Sequence, residues 1–223
     1  VGVGLLTMLA GGLRALRPFD LKQLLAFGTI SQLGFLMVLL GIGQPEATAA
    51  GCALLLAHGL FKVGLFMVVG IVDHETGTRD LRELPALGRG WGPTRAVAVI
   101  SAASMAAVPL TAGFIAKEKA YTAFVEGGAG DRLVLVGIVA GSMLTVAYSL
   151  IFVAALLRPG AVAGATERRV ADHGPTAGFV LPGIVVATAT MVLGIAPALW
   201  SGLVDAAAGA LDPEASAYLK LWH

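Results

Sequence analysis

Apolar runs long enough to cross a bilayer alternate with short charged or Gly/Pro-rich breaks along the 223 residues. A hydrocarbon core of about 30 Å needs roughly 20 apolar helical residues. The pattern predicts a truncated apolar helix at 1–13, then spans at 21–42, 47–72, 94–126, 132–157 and 177–204. The stretch from Asp212 to His223, with Pro213, Tyr218, Lys220 and Trp222, reads as an interfacial segment or the start of another helix. The expected fold class is all-α, a polytopic transmembrane helix bundle forming one domain over 1–223 without internal repeats. One span is irregular. The segment from Thr94 to Gly127 exceeds a simple crossing and is interrupted by Val108, Pro109, Leu110, Thr111, Ala112 and Gly113. Proline removes a backbone donor and glycine permits an unwound conformation, so a broken helix is expected near Pro109 to Gly113. Such breaks persist at membrane depth where they are buried in protein or line a watery cavity. The alternative is a span ending near Phe114, with Lys117, Glu118 and Lys119 at the membrane surface.

Composition agrees with a membrane setting: 57% of residues are hydrophobic and 13% charged, about half the charged share of a soluble domain. The formal charge of +1 gives no reason to expect a nucleic-acid partner, and the single cysteine, Cys52, lies in an apolar run as a small packing residue. The chain opens on Val1 with no basic segment and small-residue cleavage site after it, so a fragment of a longer protein is expected. Basic residues sort by side. Arg14, Arg17, Lys22, Arg79, Arg82, Arg89, Arg95, Arg158, Arg168 and Arg169 fall in alternate loops. The opposite side carries Arg132 and Lys220 beside Glu46, Glu126, Asp131, Asp205, Asp212 and Glu214. The positive-inside rule therefore makes the loops 14–22, 73–95 and 158–176 cytoplasmic.

Candidate chemistry centres on Lys62, near the middle of the apolar run from Ala47 to Val72. A lysine there costs about 2.5 to 3.5 kcal/mol on insertion scales, and such residues usually face a polar cavity or partner and mark an ion or proton path. His58 precedes it by four residues on the same helix face, with Phe61 and Phe66 as apolar cover. The bland readings are a Lys62 that snorkels or pairs with a carboxylate, and a His58 hydrogen-bonded to a neighbouring helix. Lys117, at the start of the second half-helix, would face the positive end of that helix dipole, partly offset by Glu118. Ser31, Gln32, Ser104, Thr145, Tyr148 and Ser149 are polar positions within spans that line a hydrated path or satisfy backbone carbonyls. The charged loop from Asp73 to Arg95 reads as a solvated connecting helix, and His74, Glu75 and Asp80 fit no standard zinc spacing. No nucleophile elbow, phosphate loop or metal cluster marks an enzyme site; neither a catalytic residue nor a cofactor is expected.

Three motifs carry a resemblance. Asp20 to Gly34, DLKQLLAFGTISQLG, resembles the signature of the large antiporter-like subunits shared by Mrp-type cation/proton antiporters and respiratory complex I. HGLFKVGLF from His58 to Phe66 and SMAAVPLTAGFIAKE from Ser104 to Glu118 extend it. The loop from Val68 to Leu84, VVGIVDHETGTRDLREL, is most similar to the A-type subunit of Mrp antiporters. The resemblance implies Lys62 as the central-axis lysine, His58 as a relay, and Lys117 as the lysine on the broken helix near the exit half-channel. Glu118, Ser104 and Tyr148 are candidate supporting residues read from their positions beside these groups, not carried over from the family. Partners would be the lipid bilayer, the other subunits of a multisubunit antiporter complex, protons and a monovalent cation, Na+, in a bacterial plasma membrane. An N-terminal half-channel would lie before Val1, and further chain beyond residue 223, making this a partial antiporter-like domain. Two departures stand out: Leu54 occupies the place of a second histidine, and Leu110 follows Pro109 where relatives often carry two prolines. The alternatives are a proton-pumping subunit of complex I or a membrane-bound hydrogenase, and a non-transporting assembly scaffold.

Overall fold

A computed structural model describes residues 1–125, 128–157, 170–171 and 173–215. The bundle comprises α1 (Gly2–Ala15), α2 (Leu21–Gly41), α3 (Pro45–Thr76), α4 (Gly92–Met105), α5 (Ala112–Val125), α6 (Ala129–Leu157), α7 (Ala177–Ile195) and α8 (Ala198–Leu211). Four of these, α2, α3, α6 and α7, are long and apolar enough to cross a membrane, and the chain is a multi-pass membrane protein. Leu6, Met37, Leu133, Met143 and Leu181 are exposed apolar side chains, as expected where the surroundings are apolar rather than water.

Local sequence sets the helix boundaries. Asp20 caps α2 by accepting the Gln23 N–H at 2.9 Å. Gly43, with φ of 75°, turns the chain into α3, which opens on Pro45 and closes on Gly77 at φ of 71°. α3 packs against α2, α4, α5, α7 and α8 and forms the axis of the bundle. Small residues bring α1 and α2 together: a Cβ on Gly34 would lie 2.7 Å from Gly4 O and 2.9 Å from Met8 Cα.

Two expectations need correction. The span expected at 177–204 ends at Ile195, because Ala196 leaves helical geometry at φ −122° and ψ 72° and Pro197 begins a new helix, α8. The loop 73–95 is not a connecting helix. After α3 it runs through turns, a strand β1 (Ala86–Leu87) and a single 3-10 turn at Arg89–Trp91. Gly77, Pro85, Gly88 and Gly90 punctuate it too densely for a helix. Glu126, Arg158, Arg168, Arg169, Tyr218, Lys220 and Trp222 lie outside the described residues.

The basic loops meet at one end. The Leu21 N–H donates to Arg79 O at 3.0 Å and the Leu81 N–H to Phe19 O at 2.6 Å. Arg79 Nε donates to Asp20 Oδ2 at 2.7 Å and its Nη1 to Asp73 Oδ2 at 3.3 Å. β1 pairs in parallel with β2 (Val170–Ala171), and Arg95 donates to the carbonyls of Leu87 and Gly88. At the other end, Gln44 Nε2 donates to Asp131 Oδ1 at 3.0 Å. Among the described residues, Arg79 and Arg95 thus lie at one end of the bundle and Asp131 at the other.

Asp20 joins the cap to this junction. Its partial burial acts to raise the carboxyl pKa, but Arg79 and the Gln23 N–H outweigh that and hold it below the usual carboxylate range. A folded-state value below the unfolded one contributes stability above about pH 4, which is lost as pH falls through the lowered value. Asp20→Ala is therefore expected to cost about 1 to 2 kcal/mol, and Asp20→Asn, which keeps the cap, less. Thermal unfolding of the complete protein in detergent between pH 3 and 7 checks this, with the Asp20→Ala difference shrinking towards the acid end.

Candidate functional site

His58 and Lys62 stand one turn apart on α3, 8% and 5% exposed, and Lys117 on α5 is 1% exposed. The segment expected as one broken crossing is two helices, α4 ending at Met105 and α5 beginning at Ala112, with Lys117 buried on the second. The break itself differs from expectation. Its left-handed positions are Ala107, at φ 62°, and Leu110, at φ 68°. Gly113 lies in the first turn of α5 and is needed for close approach, its N–H donating to Ser104 Oγ at 3.1 Å. A second proline could not occupy position 110 in this conformation, because the ring fixes φ near −65°. Departure from the two-proline pattern therefore accompanies a tight turn through Ala107 and Leu110.

Each lysine is held by a backbone carbonyl. Lys62 Nζ donates to Leu25 O on α2 at 2.9 Å, an oxygen that also accepts the Thr29 hydroxyl at 2.8 Å. Lys117 Nζ donates to Met105 O at 3.0 Å. That carbonyl belongs to the last turn of α4, whose oxygens lack intrahelical donors. The expectation that Lys117 faces the positive end of α5 is thus corrected. It lies five residues past Ala112 and reaches the negative end of α4, where an ammonium group is favoured.

The three titratable groups lie on two helices, α3 and α5, that pack against each other. The His58 ring stands edge-on to Phe61 at 5.3 Å, and its Nδ1 is buried without a protein partner among the described residues. Like charges in a low-dielectric interior repel strongly, so the charge state of one member bears on the others.

Behind Lys62 lies a polar layer between α2 and α6. A Cβ at Gly28 would stand 3.2 Å from Lys62 Nζ and 3.0 Å from Tyr148 Cε2, so this glycine seats both groups. The Tyr148 hydroxyl lies 3.2 Å from Thr145 Oγ1 and 3.5 Å from Gly28 O, and Gln32 Nε2 donates to Thr145 Oγ1 at 3.1 Å. Ser31, Thr145 and Ser149 satisfy backbone carbonyls, the second of the two roles open to them. Ser104 serves the break through Gly113. Glu118 is half-buried and receives the Thr122 hydroxyl at its carbonyl and its carboxylate. Gly28 and the carbonyls of Leu25 and Met105 escaped sequence reasoning; the cue available was a small residue one turn from Gln32 on the inner face of α2.

Comparison with known proteins places the arrangement. The family described as NADH:quinone oxidoreductase/Mrp antiporter, TM, matches residues 1–145. A Rhizobium meliloti (strain 1021) protein named as the A/B subunit of a probable K(+)/H(+) antiporter is 37% identical over 227 residues, covering 99% of this chain and 22% of the relative. A chain of the Mrp complex from Dietzia sp. DQ12-45-1b superposes with a TM-score of 0.84 at 37% identity, covering 99% of this chain and 24% of that one. A chain of respiratory complex I from Thermus thermophilus shares the fold, with a TM-score of 0.77 at 22% identity over 93% of this chain and 42% of that one. The chain thus spans about a quarter or less of the two more similar relatives. On the matched residues and the shared helix arrangement, it belongs to the NADH:quinone oxidoreductase/Mrp antiporter membrane family.

Proposed function

We propose that this chain is a proton-translocating part of one of the subunits of a multisubunit monovalent cation/proton antiporter, exchanging Na+ for protons across a bacterial plasma membrane. Lys62 and Lys117 load and release protons, His58 shuttles between them, and Tyr148, Ser104 and Glu118 support the site. The observation that carries this reading is the pair of lysines, 5% and 1% exposed, each held only through a backbone oxygen among its described hydrogen bonds. A neutral carbonyl accepts a hydrogen bond from either protonation state of an amine, whereas a carboxylate partner would favour the charged one. The arrangement suits a group that must change its charge. The similarity to antiporter subunits supports the exchange reaction. The gathered basic loops support a cytoplasmic location for that end.

Wild-type function is tested with the full-length complex in everted vesicles holding a pH gradient. Addition of Na+ is expected to collapse the gradient, with K+ run in parallel because one relative is named for K+. No collapse with either cation would contradict antiport and favour the redox-linked reading that the shared complex I fold supports.

A further inference from the structure

The acceptor of Lys62 is a backbone oxygen of another helix, so the fit of α2 against α3 decides whether that bond forms. Leu25 O lies 2.9 Å from Lys62 Nζ, and such bonds extend only to about 3.2 Å. A slip of α2 by one residue, about 1.5 Å along its axis, would carry the oxygen to that limit or past it. Packing at this level gives little control over such a slip. Gly28 has no side chain to key against α3, because its open space is the seat of Lys62 and Tyr148.

Control comes from outside the apolar span. Asp20 caps α2 and Leu21 opens it, one turn before Leu25. The Leu21 N–H donates to Arg79 O at 3.0 Å and the Leu81 N–H to Phe19 O at 2.6 Å, an antiparallel bridge that lays the loop after α3 on the turn before α2. The guanidinium of Arg79 spans the same junction. Its Nε donates to Asp20 Oδ2 at 2.7 Å, and its Nη1 donates at 3.3 Å to Asp73 Oδ2, in the last turn of α3. The loop is also fastened to α3 itself, where the Gly77 N–H donates to Asp73 O at 2.9 Å and Thr76 Oγ1 to Thr78 O at 2.9 Å. Main chain and side chain of Arg79 thus tie the start of α2 to the end of α3. Side-chain exposures of 41%, 24% and 43% for Arg79, Asp20 and Asp73 make these ion pairs weak sources of stability. The planar guanidinium nevertheless fixes the direction of both partners.

We infer that Arg79 is a positioning residue, which sets the height of α2 against α3 and so keeps Leu25 O within reach of Lys62 Nζ. The inference rests on the proposed proton-loading role of Lys62 and adds to it a group outside the span. Asp73 and Lys62 are about 16 Å apart along α3 at 1.5 Å per residue, so Arg79 acts through the two helices and not by touching the lysine. Among the described residues, His58, Lys117 and Tyr148, the other titratable groups of this interior, make no hydrogen bond to Arg79, Asp20 or Asp73. An effect of Arg79 on the site therefore has to travel through the helices it joins. Arg82 is the natural control. Its guanidinium pairs with Asp80 and lies 4.6 Å over the Phe19 ring, but among the described residues it makes no bond to α3.

Pulsed EPR and transport, both on the full-length complex, test the inference. With Cys52 and other reactive cysteines removed, nitroxides at Ala26→Cys on α2 and Phe66→Cys on α3, both exposed positions, report the fit of the two helices. Arg79→Gln is expected to shift or widen their separation by about 1.5 Å or more, one residue's rise, and Arg82→Gln to leave it unchanged. In assembled Arg79→Gln complexes the pH profile of Na+-driven proton movement, scaled to its own maximum, is expected to move by about half a unit or more, a threefold change in the balance of protonation states. A carbonyl bonds an ammonium more strongly than an amine, so withdrawing it alters that balance. Loss of folded protein would lower the profile without moving it. Should Arg79→Gln fail to assemble, Arg79→Lys carries the same expectations, since a single ammonium cannot fork across both carboxylates. An unchanged separation, or a shifted one with the wild-type profile, would overturn the inference. A shifted separation in a complex whose wild type shows no antiport keeps the positioning role and removes the transport reading.

Discussion

Gly113→Ala is expected to prevent assembly of the complex, or to lower its stability by about 3 kcal/mol or more, at the upper end of what overpacking costs. An added Cβ would stand 2.7 Å from the Ser104 carbonyl carbon and 2.9 Å from Ser104 Oγ, and closer still to the carbonyl oxygen. Backbone cannot retreat cheaply here. Ser104 and Met105 form the end of α4, the chain turns at once through Ala107 at φ 62°, and Met105 O holds Lys117. Moving α5 outward instead would withdraw Lys117 from its carbonyl. Gly59→Ala is the matched control, since nothing lies within 4 Å of its added Cβ, and in a helix interior alanine is favoured by about 0.5 to 1 kcal/mol. Native-gel yield and detergent melting temperature of the two variants compare them directly. Equal behaviour would mean that the close approach at the break is not needed.

Much of this arrangement is legible in the sequence because the membrane demands long apolar runs and makes each interruption conspicuous. The spans at 21–42, 47–72 and 132–157 correspond closely to α2, α3 and α6. Lys62 and His58 are legible for the same reason, as polar groups four apart inside such a run. The end of α7 is not, because apolar residues continue through Ala196 and Pro197 and hydropathy does not register the change of direction. β1 is hidden because its partner strand lies more than 80 residues away at Val170–Ala171. The partners of the two lysines are hidden for a different reason. Leu25 and Met105 act through their carbonyl oxygens, which every residue possesses, so their side chains leave no trace of the role. Gly113 is visible as a glycine, but its use as a site of contact with Ser104, rather than of unwinding, emerges only from packing.

Lys62→Ala is expected to leave an assembled complex whose cation-driven proton movement falls to about a tenth of wild type or below, the scale of loss for a group that itself transfers the proton. Assembly survives because Leu25 O retains the Thr29 hydroxyl at 2.8 Å when the ammonium is removed. Lys62→Arg separates charge from proton transfer. Arginine keeps a cation at the same place but does not give up its proton at any physiological pH. A structural role for the charge would be rescued by arginine, and a proton-loading role would not.

The most direct measurement is therefore Na+-induced collapse of a pH gradient in everted vesicles carrying the full-length complex with wild-type Lys62, Lys62→Ala or Lys62→Arg, with assembly verified in each. The account predicts collapse with the wild type and, with either variant, collapse at about a tenth of that rate or below. Wild-type rates in an assembled Lys62→Arg complex would contradict it, showing that the position needs a positive charge and not a proton that leaves.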